Sequence, residues 1–307
     1  HLRRPELWAG KLLQYFQEGP ARGDELPWAK THGKVRLRPG EVTIWVGING
    51  HGKTALTSQV MLHLVHLGRR VAIASLEMQP VATIARMARQ AAGNAVPADR
   101  YLVQFVDWLG KRHFLVYDQH GRADWRFIVK VVRYAAVELN VQHFLIDSLM
   151  MVVGGEDDYN SQKDCITELC TVARDTGCHV HVVHHSRKLR EESEIPGKFD
   201  AKGAGTITDL CDNVLVTWRN KRKELDREDA LRAGTAFDEG SESDALLICD
   251  KQRHGEWEGR IQLWYDRPSM SYRGIPARPH FLGYDIAGSD PDREPGQDES
   301  EREAADF

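Results

Sequence analysis

The sequence predicts an α/β fold, a mostly parallel central sheet flanked by helices, with a β-hairpin toward the C-terminus. Three observations carry this. From about residue 40, short β-branched or aromatic runs alternate with longer stretches of helical periodicity, the pattern of β-α-β units. A glycine-rich loop, residues 47–54, stands between the first such run and the first helical stretch. Finally, 307 residues with 41% hydrophobic and 28% charged content match ordinary globular chains and suffice for a core on both faces of a sheet.

Taken in order, residues 1–30 set Trp8, Leu12, Tyr15 and Phe16 on roughly helical spacing ahead of Pro20, Gly23 and Pro27, which predicts a short amphipathic helix and a linker. The main domain is expected over 31–285. Its strands are predicted at 42–46, 71–76, 113–117, 141–146, 179–183 and 214–218, each a compact apolar run ending near a polar residue. Helices are predicted at 53–67, 81–92, 124–140 and 161–176, the last two starting at capping residues. A charged stretch, 219–243, precedes a terminal hairpin of 244–249 and 259–264, joined through Arg253, His254, Gly255 and Glu256. Residues 286–307 read as an acidic, disordered tail ending in Phe307.

Several function classes fall away on composition. No apolar run approaches the roughly 20 residues of a membrane span, and the basic start does not lead into a signal-peptide core. Five cysteines, odd in number and never spaced Cys-x-x-Cys, fit free thiols in a reducing compartment. A cytoplasmic setting in a bacterial or phage-infected cell is expected, with an organellar matrix left open. A chain beginning at His1 is read as a fragment or processed product, before which a further domain could stand. Net charge is −4, and residues 288–307 alone contribute −6 from eight acids against Arg293 and Arg302, so the rest carries +2. Bulk charge therefore does not announce nucleic-acid binding, which would have to come from local basic loops.

The sharpest motif is Gly47-Ile48-Asn49-Gly50-His51-Gly52-Lys53-Thr54, G-x-x-x-x-G-K-T between a strand and a helix. Glycines let backbone N–H groups turn inward around phosphate oxygens, and the helix N-terminus behind them favours negative charge. In this pattern Lys53 neutralises the β and γ phosphates and the Thr54 hydroxyl holds Mg²⁺. The apolar run His143-Phe144-Leu145-Ile146 ends in Asp147, a carboxylate suited to the Mg²⁺ shell. Glu77 closes the run 71–76 and should emerge on the same sheet edge, where it can orient or deprotonate a water.

Taken together, these motifs resemble the RecA-like hexameric replicative helicases of superfamily four: the bacterial DnaB type, the phage primase-helicases and mitochondrial Twinkle. The resemblance spans about 30–270. Besides the phosphate loop it rests on Ser75-Leu76-Glu77-Met78, Leu145-Ile146-Asp147-Ser148, Val183-His184-His185-Ser186-Arg187-Lys188, Lys202-Gly203-Ala204-Gly205 with Cys211-Asp212, and Lys251-Gln252-Arg253. It implies a RecA-like core, ATP or another NTP with Mg²⁺, and an ATP-dependent DNA helicase motor. By this resemblance Glu77 is the catalytic base and His185, rather than His184, senses the γ-phosphate. It also makes Arg253 a finger reaching the neighbouring subunit's nucleotide, helped by Lys251, so that hydrolysis requires a homo-oligomer, most simply a hexameric ring.

The resemblance further implies that two loops meet single-stranded DNA. The second, 187–205, offers Arg187, Lys188, Arg190, Lys198, Lys202 and Gly203, groups that can follow phosphates without reading bases. The first, 151–163, holds Glu156, Asp157 and Asp158 with Lys163 as its one cation, which weakens its claim. The histidines of 179–185 are not read as a metal site, because strand alternation separates their side chains and no Cys-His spacing accompanies them. By similarity with phage primase-helicases, the tail ending in Phe307 is a polymerase contact and the N-terminal helix docks on an adjacent subunit. The rival readings are a RecA-type recombination or repair ATPase forming filaments on DNA, and a non-enzymatic nucleotide-gated scaffold.

Overall fold

The computed structural model describes residues 2–18, 23–119, 121–154, 158–185, 204–240, 242–276 and 286. Nine strands among them form one sheet in the order β3-β2-β4-β5-β1-β6-β7-β8-β9. Its parallel part is β1 (Val42–Gly47), β2 (Val71–Ser75), β3 (Leu115–Val116), β4 (His143–Asp147), β5 (His179–His185) and β6 (Asn213–Arg219). The antiparallel extension is β7 (Ala245–Gln252), β8 (Gly259–Asp266) and β9 (Ser271–Arg273). The expected hairpin thus forms and gains a third strand, and because β7 pairs with β6 it widens the main sheet.

The parallel strands bury both faces, which is why they read as nearly unbroken apolar runs. Strand alternation divides them: Val42, Ile44, Phe144 and Ile146 pack on one side, while Trp45 and Leu145 pack on the other. The first layer is closed by α5 (Trp125–Glu138), α6 (Tyr159–Thr176) and α7 (Ala204–Leu210). The second is closed by α2 (Lys53–His66), α3 (Pro80–Ala92) and α4 (Asp99–Lys111). Helix α2 is buried almost all round, since α3 and β9 cover the side that the sheet does not. Trp45 is fully buried at the centre of this layer, and its truncation to alanine would cost about 3–5 kcal/mol.

Four expectations need correction. The strand predicted at 113–117 shrinks to two residues, because α4 runs to Lys111 and His113 takes a left-handed φ of 54° before the chain extends. Helix α4 itself was not foreseen, although Phe105, Trp108 and Leu109 carry its buried stripe at i, i+3 and i+4. The charged stretch 219–243 contains α8 (Lys221–Ala233), capped by Asn220 and laced by Arg222–Asp226 and Arg232–Glu228 pairs one turn apart. Helix α6 begins at Tyr159 rather than 161, because the Asp158 side chain accepts from Ser161 N.

The expected linker is also shorter than its residues suggested. Leu26 and Trp28 lie inside the core, and Asp24 takes a paired hydrogen bond from Arg69 at 2.8 and 2.9 Å. Ahead of it, α1 (Ala9–Glu18) forms as predicted but leaves its apolar side in solvent, with Trp8 52% and Phe16 77% exposed. All five cysteines are free and buried, packed as small apolar groups. No helix of the described residues is long and apolar enough to cross a membrane.

Candidate active site

The carboxyl ends of β1, β2, β4 and β5 open onto one crevice, the place where open α/β sheets take ligands. Residues 48–52 leave β1 there and turn into α2. Gly50 and Gly52 adopt φ of 79° and 80°, a left-handed pair that only glycine takes without strain. At Gly47 the reason is space, because a Cβ would meet Thr217 Oγ1 at 2.5 Å. Asn49 and Gly50 are exposed at the loop tip. His51 turns inward instead, where its Nδ1 accepts from Arg219 N at 3.2 Å, and burial lowers its imidazole to about 4. It buttresses the loop from behind.

Lys53 is buried and folds over the loop, donating to Gly47 O at 2.8 Å and Ile48 O at 3.0 Å. Burial lowers its ammonium to about 8, against the pull of Asp147 and Glu77. A phosphate chain would supply the anion that this cation lacks. Asp147 is buried at the end of β4, and burial raises its carboxyl although the Thr54 hydroxyl hydrogen-bonds to it. The Thr54–Asp147 pair is a hard-oxygen donor set on the phosphate side of the loop, and it fits Mg²⁺, which is commonly held by few protein groups plus phosphates and water. The Asp147–Ser148 peptide is cis.

Glu77 follows β2 and joins the same crevice. Its Oε1 accepts from Ser148 Oγ at 2.5 Å and lies 3.3 Å from His185 Nε2. The His185 contact is the main reason its carboxyl is held at about 2, with Ser148 adding to it against burial. Glu77 is therefore an ionised, oriented carboxylate that can hold a water. His184 is fully buried and points away, so only His185, half-covered at the end of β5, faces the crevice.

Lys53, Thr54, Asp147, Glu77 and His185 are thus brought together, and Lys251 and Arg253 are not. Register puts Ala245 opposite Arg219 at the loop end of the sheet but Lys251 opposite Val214, five residues and roughly 17 Å farther down. There Lys251 Nζ donates to Thr208 O and Asp209 O, and Arg253 Nη2 donates to Asp209 O and Leu210 O. Both cap the C-terminus of α7, where cations are favoured, and Arg253 Nε pairs with Asp212 at 3.1 Å. Arg187, Lys188, Arg190, Lys198, Lys202 and Gly203 lie outside the described residues, as do Glu156, Asp157 and Phe307.

Sequence reasoning missed a cleft of about 100 Å³ beside the phosphate loop, lined by Gly52, Ala55, Arg219, Glu224, Tyr265 and Tyr272. Gln59 on α2 builds one wall by exchanging hydrogen bonds with Tyr272 N and O at 2.7 and 2.8 Å. Arg219 spans the other, donating to Gly50 O and pairing with Glu224. Apart from Gly52 and Ala55 of the loop and α2, these residues come from β6, α8, β8 and β9, and no motif in the sequence links them to the loop.

His143, His179 and His181 serve packing. His143 Nε2 donates to Asp24 Oδ2 at 2.9 Å, His143 Nδ1 meets His181 Nε2 at 3.2 Å, and Trp45 Nε1 donates to His181 Nδ1. His179 bridges Thr43 Oγ1 and Arg38 O.

The chain is similar to several known proteins. The model of the AAA domain family matches residues 20–191. A DNA helicase/primase of Enterobacteria phage T3 is 25% identical over 208 residues, 61% of this chain and 37% of that protein. The chloroplastic/mitochondrial Twinkle homolog protein of Arabidopsis thaliana is 23% identical over 282 residues, 85% of this chain and 38% of that protein. The chain thus spans under two fifths of the length of these relatives. Among solved structures, the ATPase domain of G40P superposes with a TM-score of 0.71 at 15% identity, covering 89% of this chain and 99% of that one. A DnaB-like replicative helicase, described with its interactions with primase, superposes with a TM-score of 0.67 at 14% identity, covering 89% and 67%. With more than half of its length matched, the chain belongs to the AAA domain family, and its RecA-like fold is shared with the ATPase domain of G40P and with the DnaB-like helicase structure.

Proposed function

We propose that this chain is the motor domain of a replicative DNA helicase that hydrolyses ATP with Mg²⁺, closes into a homo-oligomeric ring of six subunits, and moves along single-stranded DNA to part a duplex at a fork. The observation that carries the reading is the meeting of Glu77 and His185 beside Lys53 and Asp147, because His185 is the last residue of β5 before the loop that holds Arg187, Lys188, Arg190, Lys198 and Lys202. A change at the phosphate end of His185 is then transmitted by main chain to the groups proposed to meet DNA.

In this reading the loop amides from Gly47 to Thr54 and the Lys53 ammonium hold the phosphates, while Thr54 and Asp147 hold Mg²⁺. The metal supplies charge neutralisation on the phosphates. Glu77, kept ionised and aimed by Ser148 and His185, orients the attacking water and takes its proton. The cleft beside Gly52, between Arg219 and Tyr265, is proposed to receive the nucleoside, because it adjoins the phosphate loop.

Lys251 and Arg253 face away from their own loop, which supports a role toward a neighbour's nucleotide. The exposed apolar side of α1 supports docking on that neighbour. The acidic tail ending in Phe307 is proposed to engage a replicative polymerase, and deleting Phe307 should weaken that binding. The setting proposed is the cytoplasm of a bacterial or phage-infected cell. Strand separation of a forked duplex, dependent on ATP and on Lys53, tests the proposal.

A further inference from the structure

Away from the crevice, two lysines lie over two tryptophans. Lys30 Nζ stands 4.7 Å from the centre of the Trp264 ring on β8, and Lys34 Nζ stands 5.7 Å from the centre of the Trp257 ring, just ahead of that strand. Gln252 ties the two segments together, its Nε2 donating to Lys34 O at 2.8 Å and to Trp257 O at 2.6 Å. Alternation along β8 sets Arg260, a third exposed cation, on the side of Trp264. Arg36 is engaged with Glu25 at 2.6 Å and Arg273 with Asp266 at 2.8 Å, but among the described residues no carboxylate pairs with Lys30, Lys34 or Arg260.

Partial burial and the neighbouring Lys34 charge lower the Lys30 ammonium, so the two cations stand close enough to repel. Beside them the Trp264 Nε1–H is buried with no acceptor among the described residues, an arrangement that is rare unless another group satisfies it. The surface thus lacks anions and one acceptor. Its ring faces carry ammonium groups, so it offers held cations to carboxylates more than bare aromatic platforms to nucleic-acid bases.

The group that fits belongs to the chain itself. Strand β9 ends beside the patch, where a Cβ on Gly274 would stand 4.0 Å from Lys30 Cδ. Ile286 is then buried in the layer that holds Trp28 and against which Trp257 packs. Residues 287–307, which follow it, can reach as far as about 70 Å when extended, and 288–307 set eight acids against two arginines. We infer that the acidic segment 287–307 docks in cis on the surface of Lys30, Lys34 and Arg260, its carboxylates meeting the three cations and its oxygens offering an acceptor to Trp264. Any partner that takes this segment then competes with the chain's own cations for it, and high salt releases it.

Zero-length carbodiimide cross-linking of the full chain tests this, because it joins an amine to a carboxylate only where the two are in contact. An equal mixture of unlabelled and isotope-labelled chain, with peptides mapped by mass spectrometry, tells links within one chain from links between copies. The Lys111–Asp107 pair, 2.8 Å apart, is the internal control. Expected are links from Lys30 or Lys34 to acids of 288–307 within one label at about 50 mM salt, largely lost at about 500 mM. In a variant with all eight acids replaced by their amides, acetylation of Lys30 and Lys34 should quicken severalfold relative to Lys130 on α5. A Lys111–Asp107 link without any from Lys30 or Lys34 to the segment overturns the inference, as does unchanged acetylation. Links that join the two labels place the segment on a second copy and also overturn it. Protection of Lys30 and Lys34 by added oligothymidylate alone, with no link to the segment, assigns the surface to single-stranded DNA and overturns it too. None of these outcomes depends on nucleotide hydrolysis, so the helicase reading stands or falls separately.

Discussion

His185 Nε2 lies 3.3 Å from Glu77 Oε1, so the end of β5 and the end of β2 share one hydrogen bond at the mouth of the crevice. A carboxylate only accepts, which fixes the proton on Nε2. Two residues 108 apart in sequence are thereby coupled, and each carries the other's geometry to a different part of the fold. Glu77 faces the phosphate loop, and His185 leads into the loop that holds Arg187 and Lys188.

Replacing Glu77 by glutamine keeps the shape of this pair and removes the charge. Turnover should fall by at least about 10²-fold, in the range general-base groups contribute, while affinity for ATP stays within a few-fold. Steady-state ATPase and equilibrium binding check both halves. His185→Ala should lower turnover less and also uncouple it from single-stranded DNA, seen as loss of DNA-stimulated hydrolysis.

Arg253→Ala removes a helix cap and, in the proposed ring, a contact to the next nucleotide. Stability should drop by about 1–2 kcal/mol through the lost carbonyl hydrogen bonds and helix-end charge, read as a denaturant midpoint. Hydrolysis should be lost far out of proportion to that. Mixed with Lys53→Ala subunits, which are inactive for a different reason, Arg253→Ala subunits should regain activity at shared interfaces. Arg253→Ala protein that hydrolyses ATP normally would leave only the capping role.

The buried histidines set an acid limit. Burial holds His179 at about 3 and His143 and His181 below their usual value, so the native state keeps all three neutral while the unfolded chain takes up protons near pH 6.5. The contribution of His179 is therefore complete above about pH 6.5 and is lost as pH falls toward 3, by about 1.4 kcal/mol per pH unit, and His143 and His181 act in the same direction. The thermal midpoint should decline steadily from pH 6.5 to 5, and a flat profile would contradict the burial of the cluster.

Removing residues 1–20 takes away α1 and none of the core, because packing begins at Asp24 and Leu26. ATP binding should survive and ring assembly should not. Sizing of the truncated chain decides, and a ring that persists would show that α1 is dispensable.

What the sequence disclosed was the part of the molecule governed by local rules. The phosphate loop and the strands that end at Asp147 and just before Glu77 follow from apolar runs next to a motif, whereas the choice of His185 over His184 came from the family resemblance; in the fold His185 is the one that meets Glu77. The acidic-basic stretch that became α8 misled because its stability comes from an Asn220 cap and one-turn ion pairs, not from an apolar stripe. The cleft of Arg219, Tyr265 and Tyr272 was invisible because distant segments build it, held by a Gln59 contact 213 residues away.

ATP-driven unwinding of a forked DNA duplex, with sizing of the same sample and Lys53→Ala alongside, separates a ring motor from its rivals. Strand separation by a ring-sized species is expected, with none from Lys53→Ala. DNA-stimulated hydrolysis without strand separation, by an open filament, would contradict the helicase reading and favour a recombinase-like ATPase.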